Sequence, residues 1–136
     1  MKGLIPASDA IFRVLFSLIF VGAGIRHLAR PDEIVARLLD APLAHWFTAV
    51  APAPVLVALA AVVLVPGGVA LLVGYHARLA ALVLTAVLIP ITISVDLGHT
   101  RALGPLFKNI ALLGGLIHFM SKGAGEWSLD ARRFVR

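Results

Sequence analysis

The 136-residue chain is long enough for one domain, and 60% of its residues are apolar whereas 14% are charged. A soluble domain of this size cannot bury so much apolar surface, so the composition predicts a polytopic membrane protein and excludes a disordered chain. The formal net charge of +5 comes from singly scattered basic residues, which suit anionic lipid headgroups and argue against nucleic-acid binding.

Four apolar stretches approach the roughly 20 residues that a helix needs to cross the hydrocarbon core of a bilayer. None shows the alternation of a membrane β-barrel strand, so we expect helices. Asp9 is the predicted N-cap of the first helix, and Pro105 suits the first turn of the last. Short connections make successive helices antiparallel. The predicted fold is therefore an all-α, four-transmembrane-helix antiparallel bundle with spans at 10–28, 53–74, 78–97 and 105–120.

A fifth, amphipathic segment lies in the longest connection, at 31–40. Pro31 stands at a favourable first position, and Asp32 and Glu33 follow in the first turn. Apolar residues then recur at helical spacing, which predicts a short helix in the membrane interface. Trp46, just beyond it, is the expected aromatic anchor.

The distribution of basic residues predicts the orientation. With four spans both termini share a side, and that side holds seven of the twelve lysines and arginines. The positive-inside rule therefore favours cytoplasmic termini. Small residues, such as Ala70 and Gly74 at small-xxx-small spacing, indicate close helix packing within the chain or at an oligomer interface.

Five short motifs occur along the chain: GAGIRH at 22–27, LLVGY at 71–75, RLAA at 78–81, FKNIALLGG at 107–115 and GAGEWSLD at 123–130. Together these motifs resemble the DoxX family of small four-helix membrane proteins. The resemblance covers nearly the whole chain, so we treat 1–136 as one DoxX-like domain. It implies a bacterial or archaeal cytoplasmic membrane protein. Related members include a small subunit of thiosulfate:quinone oxidoreductase, and others are associated with membrane oxidoreductase or redox-defence complexes. The family supplies no catalytic residue set, and the absence of cysteine argues against thiol-based sulfur transfer by this chain.

Ionisable residues inside predicted spans are candidates for function because burying them in a membrane is costly. Arg13 shares a helix face with Ser17 and Gly24, which indicates that it faces the bundle. Alternatively, Arg13 snorkels to the headgroups with Asp9 beside it. In the tail, residues 123–125 are expected to form a flexible exit from the last helix, with Trp127 anchored at the interface.

The outer end of the third and fourth spans carries the main candidate site. Asp96 and Lys108 are joined by a short connection, so we expect them to form an ion pair. This ion pair is either a structural link or one wall of a polar pocket for a quinone or a lipid headgroup. Pro90 frees a backbone carbonyl near the middle of the third span, which sometimes marks a site. The other candidate lining residues are His27, His99, Arg101 and Asn109.

The five histidines are the residues from which a haem or metal site could be built. In the predicted topology they are divided between the two membrane interfaces, and no HExxH or HxxxH motif occurs. We therefore expect no intrinsic metal, haem or flavin, although a quinone remains a candidate cofactor. The histidines are His27, His45, His76, His99 and His118.

Three functions follow from these observations. The first is a membrane accessory or anchoring subunit of an oxidoreductase or redox-defence system, without catalysis by the chain alone. The second is a small-molecule or ion carrier, although the chain shows no clear internal repeat. The third is a haem-binding electron carrier. Expected partners are the lipid bilayer and either a redox enzyme subunit or a second copy of the chain.

Overall fold

The computed structural model describes residues 4–97 and 103–133, and all regular structure within them is helical. Four helices are long and apolar enough to cross a membrane, which confirms the predicted four-helix membrane bundle. His99 and Arg101 lie outside the described residues. The elements are α1 (Leu4–Ala29), α2 (Pro31–Leu39), α3 (Ala44–Thr48), α4 (Ala53–Val73), α5 (Ala77–Ile91) with a π-helical turn (Thr92–Asp96), α6 (Leu103–Lys122) and α7 (Leu129–Arg133).

The first helix begins earlier than its apolar pattern indicates. It starts at Leu4, so Asp9 lies inside the helix and is not its N-cap. Pro6 is compatible with this start because proline is tolerated in the first turn, where its missing N–H has no intrahelical partner. The extension places Ser8 and Asp9 in an exposed helical turn that precedes the apolar part of α1.

Two glycines allow α1 and α4 to approach closely. A Cβ atom added at Gly24 of α1 would lie 2.9 Å from the backbone nitrogen of Val65 on α4. Conversely, a Cβ added at Gly68 of α4 would lie 2.9 Å from the backbone nitrogen of Val21 on α1. Each glycine thus accommodates the backbone of the opposite helix, which is the packing that small residues permit between membrane helices.

The remaining contacts complete a four-helix bundle. Helix α4 packs on α5, and α5 packs on α6. Large rings close the bundle between α1 and α6, where the Phe16 and Phe119 ring centroids are 5.5 Å apart. Phe16 also lies against Gly115 of α6, where a side chain would collide with its ring. Close ring contacts of this kind add to the free energy gained from burying the apolar surface.

The predicted amphipathic helix is confirmed as α2, which ends one residue earlier than expected. Its apolar face packs on the start of α4, where Leu38 and Val57 are both buried. Val95 of the π-helical turn packs against the same cluster. We call this end of the bundle, covered by α2 and α3, the cap end. The opposite end, where α4 meets α5 and residues 123–133 follow α6, is called the tail end.

The outer faces of the four long helices are strongly apolar. In the most apolar part of each, only 22% to 39% of residues are buried inside the chain. Large aliphatic side chains such as Leu15, Leu59 and Ile117 are more than half exposed. Such a surface suits contact with lipid.

Candidate functional site

Two buried polar clusters lie at opposite ends of the bundle. At the cap end, the side-chain amide of Asn109 on α6 donates a hydrogen bond of 2.6 Å to the carboxylate of Asp96. Both side chains are buried, with 5% and 7% of their surface exposed. The hydrogen bond connects the end of the third span to the first turns of the fourth.

The π-helical turn that contains Asp96 begins two residues after Pro90. Proline has no N–H and its ring crowds the carbonyl of the preceding turn, so the regular α-helical ladder is disturbed there. Downstream, the N–H of Leu97 bonds to the carbonyl of Thr92, five residues back, at 3.1 Å. Thr92, Ser94 and Asp96 are all buried in this turn. Single π-helical turns occur frequently at functional sites.

The expected ion pair between Asp96 and Lys108 is wrong. Within residues 4–97 and 103–133, no ion pair joins these two side chains, and Lys108 is exposed on α6. Asn109 contacts Asp96 instead, because its position on α6 is buried against α5, whereas the preceding residue faces outward. The rotation of α6 about its axis therefore directs Asn109, and not Lys108, towards Asp96.

The structure does not join His27 to the Asp96–Asn109 pair. Its Nδ1 lies 2.7 Å from the carbonyl oxygen of Ala23, one turn earlier on α1, so the imidazole donates to its own helix. Near it, the carboxylate of Glu33 on α2 lies 2.9 Å from Arg30 and 3.7 Å from Arg26. All three of these charged side chains are about half exposed or more.

At the tail end, Arg13 is buried inside the bundle and contacts the segment after α6. Its guanidinium donates to the carbonyl oxygens of Trp127 at 2.5 Å and Leu72 at 3.3 Å, and also to that of Ala124. Only 4% of Arg13 is exposed. The prediction that this face of α1 points inward is confirmed, whereas the alternative of a snorkelling Arg13 beside Asp9 is wrong.

Asp130 fixes the turn between α4 and α5. Its two carboxylate oxygens accept the backbone N–H groups of His76 at 2.8 Å and Ala77 at 2.9 Å. The N–H of Asp130 in turn bonds to the carbonyl of Gly74 at 2.9 Å. His76 has a left-handed backbone with φ of 45°, which is unfavourable for a side chain other than glycine. The carboxylate stabilises this turn by satisfying two N–H groups at the start of α5.

The tail is therefore docked on the bundle by hydrogen bonds, whereas the sequence predicted an exit from the last helix without such contacts. Gly74 also has a left-handed backbone, with φ of 70°, and a Cβ there would collide with Ser128. The hydroxyl of Ser128 accepts the N–H of Ala131 at 3.1 Å, as an N-cap does for a short helix. The sequence contains this N-cap signal, a serine before Leu129–Arg133, but the partners of Asp130 in the same segment, His76 and Ala77, lie 54 and 53 residues away along the chain.

The four described histidines, His27, His45, His76 and His118, have different surroundings. Among the described residues, no group of three or more histidine, cysteine or acidic side chains could hold a metal ion. His118 meets the ring of Phe12 edge-on at the α1–α6 seam, and His45 lies beside Trp46 on α3. Trp46 and Trp127 are 68% and 62% exposed, so both rings can reach the membrane interface predicted for them.

Comparison with known proteins identifies one family. The family model for DoxX matches residues 8–97, which run from the second turn of α1 through α5 and the π-helical turn. Comparisons with curated proteins and with solved structures found no match. The matched segment holds Arg13 and Asp96, whereas their partners Asn109, Ala124 and Trp127 lie beyond it.

Proposed function

We propose that this chain, which belongs to the DoxX family, is an accessory membrane subunit of a quinone-linked oxidoreductase or redox-defence system, and that it does not catalyse a reaction alone. The chain is a multi-pass membrane protein. The observation that carries the proposal is the buried Asp96–Asn109 hydrogen bond at the cap end. The family resemblance suggests the redox setting, and the cap end supplies a polar site within reach of the bilayer.

A gain in stability does not explain why Asp96 and Asn109 are buried together. Placing a carboxylate near hydrocarbon costs up to about 3 kcal/mol on insertion scales, and less towards the interface. Apolar residues of similar volume would usually pack there with equal or greater stability. An ionisable residue inside a span is therefore first considered as part of a ligand site, and the π-helical turn around Asp96 supports the same interpretation.

The donors at the cap end suit a ligand that accepts hydrogen bonds. Asn109 uses one amide N–H for Asp96, and an amide carries two. Lys108 adds an exposed ammonium group at the same end of α6. Exposed Leu97 and Phe107 provide an apolar approach from the lipid side. A quinone ring fits this set, because its carbonyl oxygens accept hydrogen bonds while its tail stays in lipid; when bound it would supply electron-transfer chemistry.

The test is quinone retention by the purified protein in nanodiscs that contain a native quinone. Quinone per chain is measured by solvent extraction and chromatography, and bound lipid by native mass spectrometry. We expect Asn109→Leu to lower quinone content about tenfold, which corresponds to the loss of about one neutral hydrogen bond from the Asn109 amide to a quinone carbonyl. Asp96→Asn should lower it less, because an amide can still hydrogen-bond to Asn109.

The matched control is Lys122→Gln, which removes an exposed charge at the tail end. It should leave quinone content unchanged, and thermal unfolding should show that all three variants remain folded. Unchanged quinone content in folded Asn109→Leu would contradict the quinone site. Loss of a specific phospholipid without loss of quinone would assign the cap end to a lipid headgroup instead.

We also propose a bacterial cytoplasmic membrane location with both termini in the cytoplasm. This rests on the excess of basic residues on the side that carries the termini. Reporter fusions after residues 76 and 136 should both give a cytoplasmic signal. A periplasmic signal from either fusion would reverse the proposed orientation.

A further inference from the structure

An open groove lies at the tail end, away from the cap-end site. It has a volume of about 610 Å³, within the usual range for small-molecule sites. It opens beside Val73, the last residue of α4, which is long and apolar enough to cross a membrane, so its position corresponds to the boundary between hydrocarbon and headgroups. The lining residues are Val73, Glu126, Trp127, Ser128, Leu129 and Arg132.

The groove carries two opposite charges beside an apolar surface. Val73, Leu129 and Trp127 are each more than 40% exposed and form the apolar part. Glu126 and Arg132 are exposed, and in the part of the chain that the structure describes no ion pair joins them. One side of the groove can therefore receive a cation while another receives an anion.

The backbone around the groove is held in place. The carbonyl of Trp127 accepts a hydrogen bond from buried Arg13 at 2.5 Å. The hydroxyl of Ser128 donates to the carbonyl of Gly125 at 2.6 Å and accepts the N–H of Ala131. Because these hydrogen bonds fix the segment that carries both charges, ligand binding would lose little conformational entropy in ordering the site.

We propose that this groove binds the headgroup of a zwitterionic phospholipid with a primary ammonium group, such as phosphatidylethanolamine. Arg132 receives the phosphate, since guanidinium matches phosphate oxygens, and Glu126 receives the ammonium through charge-assisted hydrogen bonds. The Trp127 indole lies at the interfacial level that tryptophan prefers, and Val73 contacts the first methylenes of the acyl chain. An anionic lipid fits less well, because Glu126 repels its net charge.

The site is tested with Trp127 as a fluorescent reporter. The chain has two tryptophans, so Trp46→Phe leaves Trp127 as the single one. This variant is placed in phosphatidylcholine nanodiscs with increasing fractions of acyl-brominated phosphatidylethanolamine, phosphatidylglycerol or phosphatidylcholine. We expect the brominated phosphatidylethanolamine to quench half of the emission at about one third of the fraction that the other two require, an effect in the range of one partly exposed ion pair.

Charge variants separate specific binding from general contact with lipid. Glu126→Gln should abolish the preference for phosphatidylethanolamine over phosphatidylglycerol, and Arg132→Gln should weaken quenching by both. Asp32→Asn and Arg37→Gln, exposed changes at the cap end, are the matched controls and should leave quenching unchanged. Equal quenching by all three lipids, a preference for phosphatidylglycerol, or no effect of the Glu126 and Arg132 variants would overturn the proposal.

Discussion

Replacing Arg13 with glutamine should detach the tail from the bundle without unfolding the bundle. The substitution removes up to three hydrogen bonds to the carbonyls of Leu72, Ala124 and Trp127. A hydrogen bond to a charged group contributes about 1.5–3 kcal/mol, but the three are not additive and the variant no longer buries a charge. We therefore expect a net loss of about 2–3 kcal/mol, confined to tail docking because two of the three acceptors lie in the tail.

Hydrogen exchange measures this loss locally. The amides of His76, Ala77 and Asp130 are protected only while the tail is docked, since their acceptors join the tail to the α4–α5 turn. A loss of 2–3 kcal/mol accelerates their exchange about 30- to 150-fold, at about 1.4 kcal/mol per factor of ten. Amides in the middle of α4 should keep their wild-type rates.

Two further variants make the Arg13 test decisive. Arg13→Lys keeps the charge but cannot donate in a planar fork, so its acceleration should be intermediate. Lys122→Gln, an exposed change beside the tail, should have no effect. Acceleration of less than about threefold in Arg13→Gln, or equal acceleration throughout the protein, would refute the assignment of Arg13 as the residue that holds the tail.

Three other substitutions, one of them with a matched control, test the packing, the turn and the surface ion pairs. Gly68→Val should lower the free energy of unfolding of the detergent-solubilised protein by about 1–3 kcal/mol in denaturant titration, because the added Cβ would collide with the backbone of α1. Its control, Gly114→Val, adds a side chain where the chain leaves open space and should be nearly neutral. Asp130→Asn should cost at least about 1 kcal/mol in thermal unfolding, because the amide has one acceptor oxygen for the two N–H groups and its NH2 group would face the other N–H; an unchanged midpoint would show that the turn does not need the carboxylate. Glu33→Gln should change stability by less than about 0.5 kcal/mol, as its ion pairs are exposed, and a larger loss would indicate an unrecognised role.

The four-helix fold was predictable because hydrocarbon imposes its own length and polarity on a spanning segment. The amphipathic α2 was predictable for a similar reason, since Pro31 and the acidic first turn mark its start and its apolar face must be buried. Local signals of this kind need no knowledge of distant partners.

Both polar clusters depend on information that local patterns do not contain. Whether residue 108 or 109 meets Asp96 is decided by the rotation of α6 against α5, a difference of one residue in a helix. The partners of Arg13 lie 59, 111 and 114 residues away along the chain, so spacing could show that it faces inward but not what it binds. Helix α7 was missed because five residues carry no periodicity, although Ser128 is a recognisable N-cap.

The central claim is that the chain acts as an accessory subunit of a membrane redox system. Its most direct test is mild-detergent affinity purification from native membranes, followed by mass spectrometry and a visible absorption spectrum of the same sample. The account predicts co-purification with subunits of a membrane oxidoreductase in fixed stoichiometry, and no haem absorption that remains with the isolated chain. Purification without any redox protein, together with solute uptake by the reconstituted chain or a stoichiometric Soret band, would contradict it in favour of a carrier or a haem protein.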